Sequence, residues 1–125
     1  MRQPVRPIAG LLAGAAGASA VALGAFGAHA LRGVLDDRGV ELWHTAVNYH
    51  FWHALALCLA VFFLHAPHRR RATVAFGVGI VLFSGSLYAL ALGAPRWLGA
   101  VTPLGGVAFI VGWLLLGLGA ARRGA

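Results

Sequence analysis

Four apolar runs, at about residues 8–31, 46–65, 72–94 and 98–121, occupy most of this 125-residue chain. About 20 apolar residues suffice to cross the ~30 Å hydrocarbon layer as a helix, and each run reaches that length. The runs are continuous rather than alternating, which excludes a transmembrane β-barrel. With 60% hydrophobic and 10% charged residues and a mean hydropathy of +0.81, a soluble domain of this size is excluded as well. Length and short connections predict one integral domain over residues 1–125, with neighbouring helices antiparallel. The fold class is therefore an all-α membrane protein, an antiparallel bundle of four transmembrane helices.

All basic side chains are arginine, and their placement orients the bundle. Arg2 and Arg6 precede the first run, Arg69, Arg70 and Arg71 separate the second from the third, and Arg122 and Arg123 follow the fourth. Only Arg32, Arg38 and Arg96 flank the other ends, together with all three acids, Asp36, Asp37 and Glu41. Short arginine-rich loops stay in the cytoplasm, which predicts both termini inside. The net charge of +7 thus reflects topology and contact with anionic lipid, not nucleic acid. The partner it implies is the bilayer, and Arg69, Arg70 and Arg71 are candidates to hold a lipid headgroup. Ala18-Ser19-Ala20 and Ala28-His29-Ala30 imitate signal-peptidase sites. The stretch from Ile8 to Ala28 exceeds a signal-peptide core, favouring an uncleaved first helix. Cys58, alone and mid-helix, reads as a small apolar side chain.

Helix 1 carries small residues at Gly10, Gly14, Ala18 and Ala22, with a second row through Gly17, Gly24 and Ala28. Such rows let backbones approach closely in lipid, and the first predicts packing on another helix, within the bundle or in a dimer. Asp36 and Asp37 suit the cap of helix 2, and Glu41 its first turn. Helix 2 is expected over about 40–65 and ends before Pro67; helix 3 starts near Ala72 and stops near Gly93-Ala94-Pro95. Pro103 is tolerable only in the first turn of helix 4. Trp43, Trp52 and Trp97 are expected at the outer interface.

Depth singles out one polar band. At a rise of about 1.5 Å per residue, His53 lies ~10–12 Å below the outer boundary and Tyr49 and His50 ~5–7 Å. The same count puts Ser84 and Ser86 at ~9–12 Å and Tyr88 at ~6 Å. Thr102 enters the same band, His29 closes helix 1 at its edge, and Asn48 and His44 sit near the boundary. The inner halves are nearly pure apolar and glycine. On helix 2, Glu41, Thr45, Asn48 and Trp52 share a stripe with Tyr49 and His53 on its flank, and His50 points nearly away. A helix with polar groups on so many sides needs helices, a partner or water around it. The candidate site is therefore His53, Tyr49, His29, Ser84, Ser86, Tyr88, Thr102 and Asn48, with His53 at its centre. His53 either ties helices 2 and 3 through Tyr49, Ser84, Ser86 or Tyr88, or holds a ligand.

Several stretches together resemble a known family. They are Gly24-Ala25-Phe26-Gly27-Ala28-His29, Trp43-His44-Thr45-Ala46-Val47-Asn48-Tyr49, His53-Ala54-Leu55-Ala56-Leu57, Phe83-Ser84-Gly85-Ser86-Leu87-Tyr88, Thr102-Pro103-Leu104-Gly105-Gly106 and Gly112-Trp113. In order and spacing the chain resembles the YgdD-like small four-pass inner-membrane proteins of unknown function. These form domain-of-unknown-function 423, or uncharacterised protein family 0382, which includes the eukaryotic transmembrane protein 256. The resemblance implies a bacterial inner (plasma) membrane location and a common bundle, and supplies no activity or catalytic residue.

Three readings of function follow. The first is an accessory or structural protein, docked on a larger membrane complex or forming a homo-oligomer, with no cofactor. The second is a small-ligand bundle in which His53 and His29 hold haem, a metal ion, a quinone or a lipid. Against a metal, no histidine pair has the i,i+4 spacing of a zinc helix. The third is an oligomeric small transporter, which the lack of an intramembrane acid disfavours. The chain has no activated serine, paired buried carboxylates or phosphate loop, so catalysis is not indicated.

Overall fold

A computed structural model describes residues 6–124. Its four long helices are α1 (Pro7–His29), α2 (Asp37–Phe63), α3 (His68–Ala91) and α4 (Thr102–Gly124). All four spans are long and apolar enough to cross a membrane, and no strand occurs among the described residues. The helix ends follow local chemistry. Asp36 caps α2 by accepting from the Gly39 N–H at 2.7 Å. After α3, Gly93 takes φ +98°, the Gly93 N–H donates to Leu90 O and the Ala94 N–H to Ala89 O. This is a Schellman closure, which needs a residue without a Cβ. Pro103 occupies the first turn of α4, where its missing N–H costs nothing.

The boundaries differ from expectation in several places. α2 ends at Phe63 instead of 65, α3 begins at His68 rather than Ala72, and a 3₁₀ turn over Arg96–Ala100 precedes α4. A run of basic residues suggests a loop, yet once Pro67 stops α2 the chain re-enters a helix directly through His68 and the three arginines.

α2 is the hub. It packs on α1, α3 and α4, whereas α1 rests on α2 and leaves most of its surface outside. The core between the helices joins Ala13, Ala56, Leu57, Ala60, Val61, Leu64, Ala72, Phe76 and Phe109. α1 meets α2 along Ala13, Ala20, Gly24 and Gly27. A Cβ at Gly24 would touch Val47, and one at Gly27 would fall on the Trp43 indole. The stripe expected to pack is a different one, and the correction is clear. A Cβ added at Gly10, Gly14 or Gly17 meets no other atom of the chain within 4 Å, and Ala18 and Ala22 are exposed. Both rows are equally small; what chooses between them is the Trp43 indole, which needs Gly27 beneath it. Trp43 is accordingly 3% exposed instead of standing in an aromatic belt, whereas Trp52 and Trp97 are exposed.

The tightest seam joins α3 and α4. Gly105, Gly112 and Gly119, each one heptad from the next, face bulky or backbone groups of α3 or of the turn that precedes it. A Cβ at Gly105 would lie 2.7 Å from the Phe83 Cα, one at Gly112 would meet the Phe76 ring at 2.7 Å, and one at Gly119 would meet Leu64 Cδ2 at 2.8 Å. Phe109 returns the contact by covering Gly79. Each aromatic ring thus sits on a glycine, which supplies in lipid the close packing that hydrophobic expulsion supplies in water. Opposite Gly105, α3 widens into a π turn over Ile80–Ser84.

Candidate functional site

Two histidines one turn apart on α2 organise the polar interior, and they face different neighbours. His53, 5% exposed, lies against α4. Its Nδ1 is 2.7 Å from Tyr49 O, and its Nε2 accepts from Trp113 Nε1–H at 3.1 Å. Because the indole can only donate, Nε2 must be the bare nitrogen, and Nδ1–H donates to the carbonyl. The ring is also stacked on Phe109 at a centroid distance of 3.5 Å and 11°. Tyr49 adds a second, more distant stack at 5.9 Å.

His50, 4% exposed, bridges α1 and α3. Its Nε2 lies 3.0 Å from Ser19 Oγ and its Nδ1 2.9 Å from Tyr88 Oη. Ser19 spends its single proton on Ala16 O at 3.0 Å, so its oxygen accepts from His50 Nε2–H. Tyr88 then donates to Nδ1. The result is a directed chain, Tyr88 to His50 to Ser19 to Ala16, that crosses three helices. As neutral rings the two imidazoles hold opposite tautomers, assigned from this hydrogen-bond pattern.

The serines of α3 complete the bracing. Ser84 Oγ donates to Ala46 O at 2.8 Å, tying α3 to α2. Ser86 Oγ donates to Phe83 O at 2.9 Å and accepts from Thr102 Oγ at 2.6 Å, tying α3 to the start of α4. Trp43 donates to Leu23 O at 3.0 Å and packs on Tyr88 at 4.7 Å.

Of the residues singled out from sequence, Tyr49, His53, Ser84, Ser86, Tyr88 and Thr102 are brought into this band, although not as one cluster. The hydrogen bonds of His53 run to Tyr49 and Trp113, not to Ser84, Ser86 or Tyr88. Asn48 and His29 are exposed and stand apart. The stripe of Glu41, Asn48 and Trp52 faces outward, and Glu41 pairs with Arg38 at 3.5 Å where both are 70% exposed. His50, which the helical angle turns away from that stripe, points into the bundle. Near the boundary a polar side chain can reach headgroups, so it tolerates an outward direction; one turn deeper it needs protein partners. Ser19 and Trp113 were not anticipated. The Gly112-Trp113 pair was visible in the sequence, but nothing local aims an indole at His53.

The arginine triplet divides at the other end of the molecule. Arg69 Nε donates to Leu64 O at 2.8 Å. Arg69 and Arg70 line the mouth of a cleft beside α1, while Arg71 lines a shallow depression with Val111 and Leu115 of α4. Among the described residues no group of three His, Cys, Asp or Glu side chains is placed to hold a metal ion.

Comparison with known proteins decides the family. The family model described as "Protein of unknown function (DUF423)" matches residues 23–106. The chain is 46% identical over 107 residues to the UPF0382 membrane protein YwdK of Bacillus subtilis, covering 82% of this chain and 87% of that one. It is 44% identical over 109 residues to the UPF0382 inner membrane protein YgdD of Escherichia coli, covering 82% and 80%. This chain belongs to the DUF423 (UPF0382) family. A Haemophilus influenzae UPF0382 membrane protein is similar at 38% identity over 105 residues, 82% of this chain and 84% of that one. No solved structure matches the chain. The resemblance read from the motifs is therefore correct, and the protein is a membrane protein of this family. Within the DUF423 match fall both histidines, the α3 serines, Tyr88, Thr102 and Gly105. Ser19 and Trp113, which fix the tautomers, lie outside residues 23–106.

Proposed function

We propose that this protein is a non-catalytic accessory bundle of the bacterial inner membrane, with both termini in the cytoplasm. It joins a larger membrane complex or a homo-oligomer through α1. The observation that carries this reading is that both ring nitrogens of both buried histidines are already engaged by protein groups. Neither imidazole has a lone pair left for haem iron or another metal unless the brace between helices is dismantled. The band is a set of interhelical ties, each worth about 0.6–2 kcal/mol. Association through α1 is supported by its uncovered Gly10, Gly14, Ala18 and Ala22 face, which the bundle does not use. The orientation rests on seven arginines at one end against three at the other.

Protein purified in mild detergent is expected to be colourless and free of stoichiometric metal. Gly14→Leu is expected to reduce the mass of the native assembly without changing thermal unfolding of the protomer, because the new side chain meets nothing in its own bundle. A Soret band or bound metal would return the site to ligand chemistry, and an assembly unaffected by Gly14→Leu would remove α1 as the contact. A reporter fused after Ala125 should respond as cytoplasmic; a periplasmic response overturns the orientation.

A further inference from the structure

The arginine-rich end of the molecule opens into a cleft that neither the family nor the polar band accounts for. Because α1 rests on α2 and not on α3, the two outer helices stand apart, with α2 as the floor between them. The upper part of this gap is an apolar groove of about 530 Å³. Leu12 and Leu23 line one wall, Gly77 and Val81 the other, and Leu57 and His50 the floor. It continues toward the arginine-rich end as a second hollow of about 640 Å³, bordered by Arg6, Arg69 and Arg70 together with Ile8 and Val74. Leu12 and Thr73 line both, so the two adjoin along the side of the bundle. From Thr73 to Tyr88 the wall runs about 20 Å at the helical rise.

We propose that this cleft is a binding site for one anionic glycerophospholipid, its phosphate held by Arg6, Arg69 and Arg70 and one acyl chain lying in the groove between α1 and α3. Charge complementarity selects the occupant. The three acidic side chains, Asp36, Asp37 and Glu41, lie at the opposite end of the molecule, so no acidic side chain competes for the arginines. Arg69 lines the hollow and is held there by its hydrogen bond to Leu64 O. Guanidinium groups present a fork that matches phosphate oxygens, and basic pockets between transmembrane helices suit anionic headgroups. The groove above is lined almost wholly by apolar atoms. The one buried hydroxyl without a hydrogen-bond partner among the described residues, Thr73 Oγ, sits where hollow and groove meet. That is the level at which a lipid's ester region would follow its phosphate. The site is independent of any accessory role and of which leaflet the arginines face.

The test is native mass spectrometry of the full chain, stripped of lipid in non-ionic detergent and offered palmitoyl-oleoyl phosphatidylglycerol or phosphatidylcholine. One phosphatidylglycerol is expected to be retained, with about tenfold preference over phosphatidylcholine. The double substitution Arg6→Gln, Arg70→Gln should remove most of that preference. Gly77→Leu should weaken both lipids, since a side chain there projects into open space in the groove and disturbs no packing. Circular dichroism verifies that both variants keep their helices. Equal affinity for the two lipids, a preference that survives the arginine substitutions, or binding untouched by Gly77→Leu each overturns the proposal. So does displacement by free glycerol phosphate, which would assign the arginines to a soluble anion. A dimer that Gly77→Leu dissolves would give the groove to a second copy instead.

Discussion

Gly105→Leu is expected to abolish the folded bundle, with a loss of more than about 3 kcal/mol. A Cβ at this position would lie 2.7 Å from both Cα and Cβ of Phe83, and its closest neighbour is the Phe83 backbone nitrogen. A flexible side chain could swing aside, but helical backbone can yield only by moving α4 away from α3. That movement would lift Phe76 from Gly112 and Phe109 from Gly79, and would remove the Phe109 ring from its 3.5 Å stack on His53. Overpacking of a single site ordinarily costs about 1–3 kcal/mol; here one residue props open a whole interface. Gly117→Leu is the control, because a side chain there meets nothing within 4 Å. Thermal unfolding in detergent should separate the two sharply. If Gly105→Leu melts like the unaltered protein, the seam between α3 and α4 is wrong.

The second large effect concerns the histidine that joins three helices. His50→Leu is expected to cost about 2–3 kcal/mol, from two interhelical bonds of about 0.6–2 kcal/mol each and a buried phenol left without an acceptor. His50→Gln should fall between, since its amide reaches one partner but not both Ser19 and Tyr88. A cycle with Tyr88→Phe isolates the bond: the double variant should lose clearly less than the sum of the singles. Strict additivity would mean that the 2.9 Å contact between His50 and Tyr88 carries no energy. His53 answers to a different test. Its stack on Phe109 and its bond from Trp113 mean that glutamine, which keeps donor and acceptor but loses the ring, does not replace it without loss.

Much of the polar interior was legible, because counting residues inward from the arginines groups side chains that the bundle then packs between its helices. Tyr49, His53, Ser84, Ser86, Tyr88 and Thr102 all lie in it. Angular position was less legible. The stripe through Glu41, Asn48 and Trp52 is rich in polar groups, yet it faces outward. His50, on the opposite side, is the buried one. The same ambiguity attended α1, where two rows of small residues compete and only one has an indole to accommodate.

The residue pattern alone settles how many helices are long and apolar enough to cross the bilayer, and where they are capped or broken. Each of these depends on local composition: apolar length, Asp36 at a helix start, Gly93 and Pro67 at helix ends. The folded bundle decides which side of each helix is inside. In water, burial separates apolar from polar faces and leaves a period to read. In lipid the outside is as apolar as the core, so hydropathy carries no such signal. The inward face is chosen instead by where backbones can touch, at Gly27, Gly79, Gly105 and Gly112, and by which buried donors find acceptors on another helix.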